Sequence, residues 1–239
     1  FGILYRGRSS HSARRDLRPR SAGWVYVTVD STGETGTDSS LAIDSGGYAH
    51  ISYYDWGDSL LMYAYPDASG WHTLAVPGAG STGGHTSLAL DSAGYPHISY
   101  FNNLAADLMY AYRSASGWHV QAVDTAGEVG NQTCLRLDGD GYAHISYFDL
   151  TNDALKYAYR SASGWHTETV DDTGDTGYDS SLALDGDGYA HISYYDWTSG
   201  GALRYAYRDA AGWHLQTVPG TDYEGWETSL ALDGDGRAH

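Results

Sequence analysis

The chain has 239 residues, with 13 Lys and Arg against 30 Asp and Glu, for a net charge of −17. That balance repels nucleic acid and anionic membrane, and no apolar run approaches the roughly 18 residues of a membrane span. A single cysteine, Cys134, excludes an internal disulfide and a cysteine-based zinc site.

The first residues read as the end of an interrupted pattern. Phe1–Tyr5 is an apolar run that would complete a second strand, and a start at Phe1 suggests a processed form or an excerpt. Residues 1–20 then carry six of the 13 basic side chains, Arg6, Arg8, Arg14, Arg15, Arg18 and Arg20. From residue 21 onward, 7 basic residues face 29 acidic ones. The sequence therefore divides into a basic segment, 1–20, and a repeat domain, 21–239. Asp16–Arg20 falls where a third strand is expected, although Pro19 suits only an edge or a loop. Val25–Val29 is a clear fourth strand.

From Trp24 the chain repeats itself. Trp24, Trp71, Trp118, Trp165 and Trp213 step by 47, 47, 47 and 48 residues. Asp44, Asp91, Asp138, Asp185 and Asp233, and His50, His97, His144, His191 and His239, keep the same steps. In one unit, Ser181–Asp185 alternates, Asp185–Gly188 turns, and His191–Asp196 alternates again. A polar loop leads to Leu203–Arg208, a second turn to Trp213–Val218, and a long Gly/Asp/Thr loop to the next unit. Four short antiparallel strands per 40–50 residues predict a β-propeller. Four whole units, and one stitched from Ser229–His239 and the N-terminal strands, give an all-β, five-bladed propeller. Closing a blade with both termini removes two open sheet edges.

A residue present in every unit reads as structural. Asp44, Asp91, Asp138 and Asp185 would fix a turn, and His50, His97, His144 and His191 would bond across the hairpin. Trp71, Trp118, Trp165 and Trp213 belong to the same framework. An Asp/His/Ser triad in every blade would be redundant, so no catalytic residue is assigned. The Asp-Gly-Asp-Gly turns bring too few oxygens for the six to eight that calcium takes, so no cofactor is expected, with calcium at these turns as the alternative. Cys134, at the position of Ser87 and Ser181, reads as a small buried side chain.

The units differ in the loops after their second and fourth strands, which emerge on one face. Those loops hold Asp55, Trp56, Asn102, Asn103, Asp149, Asp196 and Trp197. The longer ones, Pro77–His85, Asp124–Gln132, Asp171–Asp179 and Pro219–Glu227, add Tyr178, Tyr223 and Trp226. Exposed aromatics beside acids and amides suit a sugar, because the ring stacks on the pyranose C–H face while carboxylates and amides take hydroxyls. Several weak sites on one face would add avidity.

The motif Leu-Ala-Leu-Asp…Gly-Tyr-Ala-His-Ile-Ser-Tyr-Tyr-Asp…Leu-Arg-Tyr-Ala-Tyr-Arg…Gly-Trp-His resembles the BNR-type repeats of bacterial sialidase-superfamily propellers over residues 21–239. The architecture is also similar to that of tachylectin-type lectins. The sialidase resemblance implies an arginine triad, a tyrosine nucleophile with its glutamate, and an Asp-box. Here Arg113, Arg160 and Arg208 are equivalent repeat positions and the Asp-box is absent. The expectation is a secreted, non-enzymatic, lectin-like propeller binding glycans, extracellular or at the surface of a prokaryotic cell. The alternative is a subunit of a head-to-tail fibre joined through the six arginines. A glycosidase-like enzyme stands third.

Overall fold

The computed structural model describes residues 2–6, 24–80, 83–198, 201–221 and 226–239. Most of the basic segment, including Arg8, Arg14, Arg15, Arg18 and Arg20, lies outside them, as does Tyr223. Two strands come first, β1 (Gly2–Arg6) and β2 (Trp24–Thr28). The first full sheet is β3 (Thr35–Ile43), β4 (Ala49–Asp55), β5 (Leu60–Asp67) and β6 (Gly70–Ala75). The second is β7 (Gly84–Leu90), β8 (Pro96–Asn102), β9 (Asp107–Ser114) and β10 (Gly117–Asp124). The third is β11 (Val129–Leu137), β12 (Ala143–Asp149), β13 (Ala154–Ser161) and β14 (Gly164–Asp171). The fourth is β15 (Thr176–Leu184), β16 (Ala190–Asp196), β17 (Ala202–Asp209) and β18 (Gly212–Thr217).

Each full sheet is an antiparallel meander in chain order. The first strands β3, β7, β11 and β15 pack on one another from sheet to sheet, so they line the inside and β6, β10, β14 and β18 the outside. This is the radial arrangement of a β-propeller. A tail hairpin follows, in which Ala231 and His239 exchange backbone hydrogen bonds of 3.0 and 2.8 Å.

The register corrects one strand expectation. β1 pairs with β2 so that Arg6 faces Trp24. Arg113 faces Trp118, Arg160 faces Trp165 and Arg208 faces Trp213 in the third and fourth strands of full sheets. Phe1–Tyr5 was expected in a second strand and Asp16–Arg20 in a third. Instead β1 itself stands in third-strand register against β2.

The core lies between sheets rather than within them. Leu61 and Tyr63 of the first sheet pack with Leu88, Ile98 and Tyr100 of the second, and the pattern recurs one sheet on. The recurring tryptophans join neighbours. Trp118, Trp165 and Trp213 set their edges against Tyr63, Tyr110 and Tyr157 of the preceding sheet, with centroids 5.5, 5.1 and 5.2 Å apart. Such pairs add about 0.5–1.5 kcal/mol each beyond their buried area. Trp165 and Trp213 also donate Nε1–H to Gln121 Oε1 and Glu168 Oε2, at 3.1 and 2.8 Å.

The inner strands are joined by a recurring bond. Leu88 N donates to Ser40 Oγ, Leu135 N to Ser87 Oγ and Leu230 N to Ser181 Oγ, each at 3.0 Å. Leu182 N donates to Cys134 Sγ at 3.3 Å. The half-buried Cys134 thus takes the acceptor's place in this series as well as filling space.

The first turn of each unit has one design. Asp185 Oδ1 accepts Asp187 N and Tyr189 N at 2.9 and 2.8 Å. Its Oδ2 lies 3.4 Å from His191 Nε2, and His191 Nδ1 meets the Tyr205 hydroxyl at 2.5 Å. Asp44–His50, Asp91–His97 and Asp138–His144 repeat the pair at 3.4–3.6 Å.

Candidate functional site

The face opposite those turns is built on a backbone irregularity. Near the start of β3, β7, β11 and β15 the register shifts, and residues are added against the second strand. At that point Asp38, His85, Gln132 and Asp179 have φ of 50, 53, 51 and 50°, and Glu227 in the tail has 52°. The left-handed region is uncommon for any residue with a Cβ and tends to concentrate where a site demands it. Five units retain the conformation and each fills it with a different or differently placed polar side chain.

The slot is held from the next unit. Thr86 Oγ1 donates to Asp38 O at 2.9 Å, Thr133 Oγ1 to His85 O at 3.1 Å and Thr228 Oγ1 to Asp179 O at 2.8 Å. The side chains continue the sequence around the inside. His85 N donates to Asp38 Oδ2 at 3.1 Å, and Asp179 N to Gln132 Oε1 at 3.0 Å. Asp179 then accepts Gln132 Nε2 at 2.8 Å and Glu227 N at 3.3 Å. The inner rim thus carries three carboxylates, Asp38, Asp179 and Glu227, of which Asp38 and Glu227 are exposed. These three carboxylates were not among the residues singled out from the sequence. The set was detectable as a column of the repeat, just before the constant Ser/Thr-Ser/Cys-Leu, where chemistry changes from unit to unit.

The expected sugar-binding residues divide into two groups. Asp55 and Asp149 are buried, and Oδ1 of each accepts two backbone N–H groups of its own loop. Asn102 Oδ1 does the same for Leu104 and Ala105, and Asp196 Oδ1 accepts Thr198 N. These four side chains shape their loops. The aromatics face outward: Trp56, Trp197 and Trp226 are 57, 44 and 51% exposed.

What the aromatics meet differs from seam to seam, according to the residue just before the left-handed slot, which is Thr37, Gly84, Asn131, Tyr178 or Trp226. Tyr178 packs on Phe148 with centroids 4.1 Å apart, and burial, with Asp175 beside it, pushes its phenol up to about 12. Trp226 stacks on Tyr195 at 4.7 Å and meets Trp197 edge-on at 4.6 Å. Between the first two sheets the residue is Gly84, and a cleft of about 450 Å³ opens, lined by Asp38, Tyr54, Trp56, Gly84, His85, Phe101 and Asn103.

No protein-family model matches this chain, and no curated protein matches it. Solved structures do. AofleA from Arthrobotrys oligospora aligns with a TM-score of 0.57 at 13% identity, over 76% of this chain and 57% of its own. A PL25 ulvan lyase, a polysaccharide lyase, aligns with 0.57 at 13%, over 78% and 59%. A GH43 β-1,3-galactosidase solved with galactodeoxynojirimycin aligns with 0.54 at 11%, over 84% and 83%. The chain thus spans under two thirds of the first two. At these identities the likeness establishes a propeller fold of a kind found in carbohydrate-related proteins. The lyase and the galactosidase are enzymes, so these neighbours run against the expectation of a non-enzymatic lectin.

Proposed function

We propose that the chain is a carbohydrate-active propeller of glycosidase type, with its reaction centre on the inner rim. The observation that carries this reading is the left-handed slot occupied by Asp38, Asp179 and Glu227 beside exposed aromatics. Hydrolysis of a glycosidic bond uses one carboxyl to protonate the leaving oxygen and a second to activate water or attack the sugar. Asp38 and Glu227, the exposed pair, take these two roles. Asp179 spends both oxygens on Gln132 and on the backbone of Glu227, and so positions the latter.

The reading takes the wheel as five-bladed, with the fifth sheet combining the tail hairpin and β1–β2. Two bonds support that count. Leu230 N meets Ser181 Oγ as in the full units, and the Tyr53 hydroxyl meets Asp30, just past β2, at 2.6 Å, as Tyr147 meets Asp124 at the end of β10. On a five-bladed count Asp38 and Glu227 are neighbours across the closure. The sialidase and tachylectin likenesses then concern architecture alone.

The test is release of reducing sugar from neutral and acidic polysaccharides and from aryl glycosides. Asp38→Asn and Glu227→Gln should each lower kcat by about 10²–10⁴ with melting unchanged. Absence of cleavage across the panel at high protein concentration would overturn the proposal.

A further inference from the structure

We infer that the cleft opened by Gly84 is a subsite for an uncharged pyranose. The inference rests on the carbohydrate reading above and goes further, to a location and a class of sugar.

One lining residue leaves room for the cleft by lacking a side chain. A Cβ at position 84 would meet Asn103 Oδ1 at 3.1 Å, with Asn103 Nδ2 and Asp38 Oδ2 both at 3.7 Å. Two units on, Tyr178 occupies the corresponding place, and in the tail Trp226 does, each filling its seam with a ring. Gly84 lies outside the left-handed region, so a glycine is not required by the backbone there. Its effect is to leave a space bordered by oxygen and nitrogen atoms.

The lining joins rings to polar groups. Trp56 is exposed and braced by Tyr54 with centroids 5.3 Å apart, and Phe101 packs near His85 at 6.4 Å. Asp38 and Asn103 line the same cleft and supply acceptors and donors, and Asn103 Nδ2 donates to the Tyr54 hydroxyl at 3.3 Å. A pyranose has that duality, with a C–H face for Trp56 and a hydroxyl edge for Asp38 and Asn103. The volume of about 450 Å³ falls within the usual range of small-ligand sites, about 300–1,000 Å³.

Charge narrows the class. The lining holds a carboxylate, Asp38, and no Lys or Arg, on a chain of net charge −17. A uronate or a sulfated sugar meets repulsion there, and an uncharged sugar does not.

Calorimetric titration of the Glu227→Gln protein with neutral gluco-, xylo-, galacto- and manno-tetrasaccharides, and with tetragalacturonate, tests the inference. At least one neutral series should bind and the galacturonate should not. Gly84→Tyr, which copies the fourth unit, should weaken binding at least 10-fold, on the order of a lost stacking partner and its hydroxyl bonds. Trp56→Ala, at an exposed position, should do the same without a change in melting, and keeps the test valid if Gly84→Tyr folds poorly. Binding of the galacturonate alone, of no oligosaccharide, or of neutral sugars unaffected by either change overturns the inference. Neutral binding that depends on Gly84, in a protein that cleaves nothing, leaves the subsite standing and removes the enzyme. Cleavage unaffected by Gly84→Tyr does the reverse.

Discussion

Tyr147 donates its hydroxyl to Asp124 Oδ2 across 2.7 Å, tying the second strand of one sheet to the end of the outermost strand before it. Tyr194 and Asp171 repeat the bond at 2.6 Å, 23 residues apart in the chain as before. In the second unit Pro77 stands where the aspartate would be, and the Tyr100 hydroxyl is buried with no partner among the described residues. Burial drives all three phenols far above their ordinary range, and the carboxylate adds to it for Tyr147 and Tyr194, so all remain neutral.

Tyr147→Phe should therefore cost about 1–3 kcal/mol, because a buried carboxylate loses a donor. Tyr100→Phe should be neutral or slightly stabilising, since it removes an unsatisfied hydroxyl. Urea unfolding of the two variants checks this, and equal losses would contradict it.

Lys156 is nearly buried between Asp124 and Asp149, reaching the second at 3.8 Å. Arg204 does the same work between Asp171 and Asp196, at 3.0 and 3.2 Å. Lys156→Met strands two buried carboxylates and should cost about 3–5 kcal/mol. The second unit already contains a solution without charge, in Pro77, Asn102 and Met109. Combining Lys156→Met with Asp124→Pro and Asp149→Asn should recover most of that loss. A triple variant no more stable than the single one would show the network to be more than an ion pair.

Gly177 has φ of 107°, and a Cβ there would lie 2.7 Å from Leu155 Cα. Gly177→Ala meets backbone that cannot step aside and should cost more than about 2 kcal/mol. Gly84→Ala meets the end of the Asn103 side chain and should be nearly silent. Melting temperatures of the pair distinguish the two situations.

His50, His97 and His144 have pKa values lowered below the ordinary 6.5, by burial first, with Asp44, Asp91 and Asp138 partly opposing. The unfolded chain then binds protons that the folded chain refuses. The stability from this source is complete above pH 6.5 and declines as pH falls through 6.5 toward the lowered values. Asp124, held below its ordinary 3.8 by Lys156 and Tyr147 against the opposing effect of burial, contributes stability that is present above pH 3.8 and lost as pH falls through its lowered value. Melting followed from about pH 8 to 3 should fall in two stages, and His144→Gln should shrink only the first.

The sheets were legible because each unit repeats alternating strands between turn residues, and the structure keeps those turns. The role of β1 was misread although Tyr5-Arg6 matches Tyr112-Arg113, Tyr159-Arg160 and Tyr207-Arg208. Its hydrophobicity suited either strand, and only pairing with β2 decides. The inner rim was hidden for a different reason. Asp38, His85, Gln132, Asp179 and Glu227 mix carboxylates with an imidazole and an amide, and what unites all five is a backbone angle. Asp55 and Asp149 carried the right chemistry for a sugar, but a residue two or three positions ahead of a backbone N–H tends to cap its own loop. Trp56 and Trp197 were legible as exposed loop aromatics, whereas nothing in the sequence marked the cleft beside Gly84.

The bond to the leucine amide along the inner strands recurs from unit to unit: Ser40, Ser87, Cys134 and Ser181 each offer an acceptor forward, and Leu88, Leu135, Leu182 and Leu230 each offer an amide backward. A duplicated unit would therefore arrive carrying both halves of its own joint, with nothing to invent at either border. Growth by copying is built into such a chain, and later change could then fall on the few rim positions that the joint leaves alone.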